Sequence, residues 1–540
     1  MKKNINNIFL MSLLFMGNTY AQPKLIIQIV IDQLRGDLIQ RHAQQFGTQG
    51  FNYLLNHSIN FQNAHHPHAN TTTCVGHATI ATGSYPLMHG VIDNDWYDRK
   101  TKKSIYCMED LDTTIVPTIH THAVLPGRSP LNLKASTLSD ELVLARKGNA
   151  FAVSLKDRSA ITLAGHSGKA FWFDKINGGF VTSRYYYSSY PQWVQNWNSK
   201  YKPKEIIWKL SRAKNTYQNA KSPIMKQKAD GFGAQFPHKV TLPISEEYFK
   251  FLSKTPEADK LTADFAEQLL INEHLGHAEN HTDYLAISFS AVDVIGHQFS
   301  LNSLEAEDNL LMLDKTLSHL LSVIDKHVGL NNTLIVLTAD HGAGDGKAYL
   351  NAHHILEIKP IDTERATQAV KNGLYKRFQL PEQSLTIIVP PYVYLNHKII
   401  HEHHLNLTQV SQFVADILNH QTGVYKAYPL PVRSHDKNWI TEKVNRMAYP
   451  GRSGDVYLVP PPYGSIKEVP VAHNGPWQYD SFVPLLFVSP SFKAQQISRP
   501  VFTTDIATTL TALLMIKPPS AAVGVPLDEV LNQFNSSNNK

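Results

Sequence analysis

Aliphatic and β-branched residues come in near-continuous runs along this chain, and the runs end against charged or polar residues. The first is Lys24-Leu-Ile-Ile-Gln-Ile-Val-Ile-Asp32; Ala150-Phe-Ala-Val-Ser-Leu155, Tyr284-Leu-Ala-Ile-Ser-Phe289 and Thr333-Leu-Ile-Val-Leu-Thr338 share its grammar. Runs without polar alternation are how strands buried on both faces of a parallel sheet read. Stretches of helical character stand between and after them: Thr137 to Lys147, stopped by Gly148; a long amphipathic one from about Leu304 to Val328; and Thr504 to Leu514. Ser481 to Ser489 reads as one further strand, and the polar tail from Asn532 as unstructured. This alternation predicts an α/β fold around a mainly parallel sheet.

The pattern lapses twice. From about 178 to 281 the chain turns aromatic and lysine-rich, with Tyr185-Tyr-Tyr187 and Trp193 to Trp197, and a second lapse runs from about 351 to 469. Segments this long inside a compact domain are usually functional or form subdomains of their own, so both are expected to be inserted caps that wall the active site. At 540 residues, with 42% hydrophobic and 18% charged composition, the chain has a large core to bury and gives no sign of disorder. One catalytic domain over 22–540, with insertions at 178–281 and 351–469, is the expected organisation.

Residues 1–21 are of another kind. Lys2 and Lys3 precede the apolar run Ile8 to Met16 and the ending Asn18-Thr-Tyr-Ala21, the layout of a secretory leader cleaved after Ala21. No later apolar stretch approaches the roughly 20 residues that span a bilayer, so a mature protein in the periplasm or outside the cell, not inserted in a membrane, is expected. The formal net charge of +6 falls to +4 once the two leader lysines are lost, too small to argue for nucleic acid. Cys74 and Cys107 either pair in an oxidising compartment or stand as two separate thiols, and the sequence leaves both open.

Candidate chemistry starts at Asn70-Thr-Thr-Thr-Cys-Val-Gly-His-Ala-Thr-Ile-Ala-Thr-Gly83, where hydroxyl residues lead into a short helix stopped by Gly83. Thr73 falls near the helix N-terminus, where backbone N–H groups and the positive end of the dipole favour an alkoxide and a phosphoryl oxygen. A neutral threonine still needs a metal or a base to act as nucleophile. In open α/β sheets ligands collect beyond the carboxyl ends of strands, which makes Asp32 a candidate ligand. Asp293 with His297, the adjacent Asp340-His341, and His473 in Val-Ala-His-Asn-Gly add carboxylate and imidazole donors of the kind that suit zinc. The i, i+4 spacing of Asp293 and His297 lets one helical turn aim both at one ion. Asp340 and His341, as neighbours, are expected to diverge and serve opposite sides of a two-metal pair. The remaining histidine clusters, at His65, His66 and His68; His274, His277 and His281; His353 and His354; and His401, His403 and His404, read as surface or packing residues.

Each of these signals is weak alone, but together and in this order they resemble the alkaline phosphatase superfamily. Within it the resemblance is to the phosphate-irrepressible, monoesterase (PafA-like) type, with matching positions spread from Asp32 to His473. That resemblance implies an alkaline-phosphatase-like three-layer α/β/α sandwich and a pair of Zn2+ ions. Asp293, His297 and His473 would hold one ion; Asp32, Asp340, His341 and the Thr73 hydroxyl would hold the other, and Thr73 would form a phosphothreonine intermediate. Asn94, in Gly90-Val-Ile-Asp-Asn-Asp-Trp96, and the pair Lys156 and Arg158 match the family's contacts to non-bridging phosphoryl oxygens. A phosphate monoester carries about two negative charges near neutral pH, so an added Lys and a forked Arg favour it over a singly charged diester. Related phosphodiesterases share the Thr and Asn but lack this pair. Small phosphate monoesters are therefore the expected substrates, and a monomer is expected. A sulfatase is disfavoured, because Cys74 is followed by Val-Gly-His and not by the Cys-x-Pro-x-Arg type signature. The rival readings are a nucleotide pyrophosphatase or phosphodiesterase of the same superfamily and a catalytically inactive secreted binding protein.

Overall fold

The computed structural model describes residues 22–222, 235–241, 243–355, 359–433, 437–464, 471 and 473–537; the leader expected at 1–21 lies outside them. Nine strands form its main sheet. They are β1 (Leu25–Ile31), β2 (Ser58–Phe61), β3 (Ala150–Ser154), β4 (Lys169–Phe173), β5 (Phe180–Val181), β6 (Asp283–Phe289), β7 (Thr333–Thr338), β8 (Leu486–Val488) and β9 (Gln495–Ile497). Their spatial order is β9-β2-β8-β7-β1-β6-β3-β4-β5. The five central strands, β7, β1, β6, β3 and β4, are parallel, and β8 and β5 flank them antiparallel. The expected α/β architecture, with a mainly parallel sheet at its centre, is the one observed.

Six helices matter for the site: α1 (Thr73–Thr82), α2 (Asp157–Ala164), α3 (Glu257–Asn272), α4 (Ala291–Phe299), α5 (Leu304–His327) and α6 (Asp505–Leu514). Strand β1 shows why three layers form. Successive side chains of a strand point to opposite faces, so Leu25, Ile27, Ile29 and Ile31 enter one core while Ile26 and Val30 enter another. The first core is closed by apolar residues of α3 and α5, and the second by those of α1, α2 and α6. A strand needing cover on both faces leaves no polar position except Gln28, whose amide oxygen accepts from the Tyr284 hydroxyl at 2.8 Å.

Two local expectations fail for identifiable reasons. Ser481 to Ser489 is not one strand: Phe482–Val483 pairs in a small three-stranded sheet and β8 pairs in the main sheet, the break falling at Pro484, which has no N–H to give to a ladder. The polar tail is helical over Asp528–Ser537, because Leu527 and Val530 are buried against the α6 side of the molecule. Within 359–459 a four-stranded antiparallel sheet and the helices Thr363–Phe378 and Leu407–Leu418 enclose a separate small core. The 178–281 stretch contains the edge strand β5 and the helix α3 that underlies the main sheet.

Register decides where the chemistry emerges. Ile31 pairs with Phe289, Val30 with Thr338, and Ser288 with Ser154. Asp32, Asp293, Asp340 and Lys156 all follow within a few residues, so they leave the sheet together at its carboxyl edge.

Candidate active site

Thr73 is the first residue of α1, behind an extended Thr72, and Gly83 ends the helix at φ 62, returning its N–H to Thr79 O. The helix is pressed onto the end of β7: a Cβ at Gly76 would stand 1.9 Å from the Asp340 carbonyl oxygen. One turn on, His77 is fully buried. Its Nδ1 donates to Thr73 O at 2.9 Å and its Nε2 meets Ser288 Oγ at 2.9 Å, while Asp340 Oδ2 lies 3.2 Å from Nδ1. The nucleophile candidate is thus tied through one imidazole to β6 and to the carboxylate beyond β7.

Two groups of donors gather next to it. Asp32, Asp340 and His341 form one, and Asp293, His341 and His473 the other, their ligand atoms lying within 4.8 Å of one another in each. His297 joins the second, its Nε2 standing 3.0 Å from both Asp293 Oδ1 and His473 Nε2. Asp293 and His297 stand one turn apart on α4. The expected divergence of Asp340 and His341 does not hold: His341 Nε2 is 3.4 Å from Asp340 Oδ2 and 3.3 Å from Asp32 Oδ1. Strand pairing ends at Thr338, so the alternation that would send neighbours to opposite faces has lapsed. The ring of His341 also stacks on that of His473, centroids 3.6 Å apart, bringing the two groups side by side.

The outward hydrogen bonds of these histidines have the form seen around metal-binding imidazoles, in which one ring nitrogen donates away from the centre and the other faces it. His341 Nδ1 faces Gly342 O at 2.9 Å, His297 Nδ1 faces Val471 O at 3.0 Å, and His473 Nδ1 faces Thr71 O at 2.8 Å. A carbonyl can only accept, so each Nδ1 carries a proton and each Nε2 is turned inward, where its lone pair serves a metal ion once the ring is neutral. Asp32 Oδ1, Asp340 Oδ2 and His341 Nε2 are buried with no hydrogen bond to satisfy them among the described residues. Buried polar atoms are almost always paired, and three electron-pair donors facing one another fit a cation.

The buried carboxylates draw positive charge to this spot, as a proton on His341 or as a metal ion in its place. Burial pushes His341 down, but Asp340 and Asp32 outweigh it and hold the imidazole up to about 9. Burial and the neighbouring Asp293 push Asp32 up, but Lys156 and His341 bring its carboxyl down to about 2. His473 goes the other way, lowered to about 3 by burial and by the proximity of His341. Lys156 stands between the groups, donating to Asp293 Oδ2 at 2.6 Å and to Asp32 Oδ2.

A cavity of about 390 Å³ opens over this centre. Thr73, Asn94, Lys156, Arg158, Asp293, His297 and His473 line it together, with Lys175, Lys254, Val294 and Gln298. Asn94 Oδ1 accepts from Cys74 N at 2.9 Å, so its carbonyl is committed and the amide nitrogen remains to donate. Cys74 and Cys107 are joined as a disulfide, and Cys107 N donates to Asn94 O at 2.8 Å. Asp157, the first residue of α2, accepts from the Tyr106 hydroxyl at 2.6 Å and from Arg128 Nε at 2.6 Å, and its Oδ1 caps Arg158 N at 2.8 Å.

Several of these supports were not foreseen from the sequence. Gln33 is the clearest: its backbone N–H donates to Asp340 Oδ1 at 3.1 Å and its side-chain amide to Asp293 Oδ1 at 2.8 Å. It does so from φ 67, uncommon outside glycine, and Gly296 leaves the room, since a Cβ there would lie 2.1 Å from Gln33 Oε1. Its place directly after Asp32 was the only available clue. His66, expected to be a surface or packing residue, is buried and braces the centre from behind: Nε2 donates to Ala339 O at 2.9 Å and Nδ1 meets Thr503 Oγ1 at 3.0 Å.

Fold, paired ligand groups and cation-lined cavity define a class, and comparison with known proteins assigns it. The chain belongs to the type I phosphodiesterase / nucleotide pyrophosphatase family, whose profile matches residues 26–468, within the alkaline phosphatase superfamily. In that class it is 32% identical to the alkaline phosphatase PafA of Elizabethkingia meningoseptica over 534 residues, 96% of each chain. It is 31% identical to the alkaline phosphatase PhoV of Synechococcus elongatus over 531 residues, 95% of this chain and 94% of that one. The crystal structure of PafA superposes with a TM-score of 0.84 at 30% identity, covering 94% of this chain and 99% of that one. A PafA variant substituted at a Thr, an Asn, a Lys and an Arg superposes with a TM-score of 0.83 at the same identity, again over 94% of this chain and 99% of that one. The protein is thus a phosphoric ester hydrolase of this superfamily with candidate metal-binding groups at its centre. Among the described residues no helix is long and apolar enough to cross a membrane.

Proposed function

We propose that the protein is a secreted or periplasmic di-zinc alkaline phosphatase that hydrolyses phosphate monoesters through a phosphothreonine at Thr73. The observation that carries this reading is that Thr73, the ligand candidates Asp293, His297 and His473, and the three phosphoryl-binding candidates Asn94, Lys156 and Arg158 line one cavity. Further support comes from the PafA variant, whose substituted Thr, Asn, Lys and Arg are separated by the same chain intervals as Thr73, Asn94, Lys156 and Arg158.

Asp293, His297 and His473 would hold one zinc ion, and Asp32, Asp340, His341 and the Thr73 hydroxyl the other. Bound there, the ions supply positive charge that eases ionisation of a hydroxyl and stabilises a departing oxygen. The residues of the chain do the rest. Asn94, Lys156 and Arg158 hold the non-bridging oxygens in a fixed orientation, and Asp157, pinned by Tyr106 and Arg128, aims the Arg158 segment. Thr73 Oγ then forms its bond to phosphorus in line with the ester oxygen that leaves, and water subsequently breaks the Thr73 ester to release phosphate.

Diester hydrolysis is the competing reading, favoured by the family description. Rates on p-nitrophenyl phosphate and on its bis ester separate the two: faster turnover of the monoester is expected, and a diester preference would overturn the substrate assignment. Thr73→Ala should abolish turnover with folding intact; a variant as active as the parent would falsify the role of Thr73. A metal-free protein that cleaves neither ester would instead favour a binding role.

A further inference from the structure

Beyond the carboxyl end of β4, next to the strand that delivers Lys156 and Arg158, the chain makes a tight turn over 174–177. Asp174, buried, fixes that turn: Oδ1 accepts from Ile176 N at 2.8 Å and Asn177 N at 3.0 Å, and Oδ2 from Asn177 Nδ2 at 2.7 Å. The residue so presented is Lys175, which lines the same cavity as Thr73.

Its situation differs from that of the other cations there. Lys156 is held by two carboxylates, Arg158 lies beside Tyr106 and Asp157, and Lys254 donates to Gln298 Oε1 at 2.8 Å. Among the described residues no hydrogen bond or ion pair engages the Lys175 ammonium. Burial, and then the positive charges of Lys156 and Arg158, lower it to about 8, an environment relieved by bringing in an anion. Asn94, Lys156 and Arg158 already match the oxygens of one phosphoryl group. Lys175 and Lys254 are therefore surplus to the group being transferred.

We propose that Lys175, with Lys254, forms a second anion subsite at this cavity, selecting phosphate monoesters that carry another phosphate group elsewhere on the same small molecule. The proposal rests on the phosphatase reading given above and extends it to a substrate class. The subsite binds the non-reacting phosphate and takes no part in bond making.

The test compares glucose 6-phosphate with glucose 1,6-bisphosphate on the intact metal-loaded protein and on Lys175→Gln and Lys175→Arg. Loss of one charge-assisted contact should lower the bisphosphate-to-monophosphate ratio of kcat/KM by about tenfold in Lys175→Gln, and Lys175→Arg should restore most of it. Wild-type protein with no preference for the bisphosphate, or a ratio that Lys175→Gln leaves unchanged, would overturn the subsite. Binding of methylenediphosphonate against methylphosphonate by calorimetry reads the subsite without turnover. If the protein cleaves no ester, the phosphatase reading fails, while a selective loss of diphosphonate affinity in Lys175→Gln still supports the subsite and an equal loss for both probes refutes it.

Discussion

Gly76→Ala adds one methyl group between the helix that carries Thr73 and the strand end that carries Asp340. That carbon would stand 1.9 Å from the Asp340 carbonyl oxygen and 2.7 Å from its carbonyl carbon. Side-chain β-carbons essentially never come within 3.0 Å of a non-bonded heavy atom remote in the chain, so the two elements must part by at least the 1.1 Å between those limits. Alanine is the better helix former by about 1 kcal/mol, whereas forcing a group into packed backbone costs about 1–3 kcal/mol. The fold should therefore survive, with a melting temperature lowered by a few degrees at most. Catalysis has no such tolerance, because a displacement of about 1 Å between reacting groups costs on the order of 10²-fold in rate. Steady-state kcat/KM on p-nitrophenyl phosphate, metal content and thermal melting, measured on the same preparation, read all three consequences. A Gly76→Ala protein that melts as the parent does and retains its kcat/KM would refute the claim that close approach of α1 to Asp340 sets the geometry.

Arg158→Ala and Lys156→Ala should each reduce monoester hydrolysis by about 10²-fold and affect diester hydrolysis far less; equal losses on both substrates would remove their assignment to the dianionic phosphoryl group. Dialysis against a chelator should abolish turnover and zinc should restore it, since Asp32 Oδ1, Asp340 Oδ2 and His341 Nε2 are buried together with no hydrogen bond among the described residues; activity that persists in metal-free protein would contradict this. Asp455 accepts from Leu395 N at 2.6 Å, His397 Nε2 at 2.7 Å and Arg99 Nη2 at 2.9 Å, tying the small antiparallel sheet to the loop after Asn94. Burial raises its carboxyl pKa, but the His397 bond and the Arg99 charge outweigh burial and hold it below the ordinary value. A carboxyl lowered on folding contributes stability above its ordinary pKa and loses it as pH falls through the folded one. Asp455→Asn should therefore cost about 2 kcal/mol at pH 7, and calorimetry should find the gap to wild type closing below about pH 4; a gap that stays constant on acidification would exclude this linkage.

What the sequence disclosed was local. Asp32, Asp293 and Asp340 were legible because unbroken apolar strands announce where they end, Lys156 because it matches the family's motif, and Gly83 announced the stop of α1. The supports of the site were not legible, because each joins residues remote in the chain: His77 to Ser288, Gln33 to Asp293, and Tyr106 and Arg128 to Asp157. No period or spacing encodes such pairings. The misreading at 481–489 is of another sort, since Pro484 was visible and its missing N–H forbade a continuous ladder. Asp340 and His341 show a third limit: whether neighbours diverge depends on whether the strand still runs, and it ends two residues before Asp340.

The bond between Cys74 and Cys107 joins the residue beside Thr73 to the residue after Tyr106. One covalent link thus spans the candidate nucleophile's helix and the hairpin that steadies Arg158. A chain held in a thiol-rich interior would be made without that strut. Whatever ester hydrolysis the site performs would then be weaker in a reducing compartment than in an oxidising one.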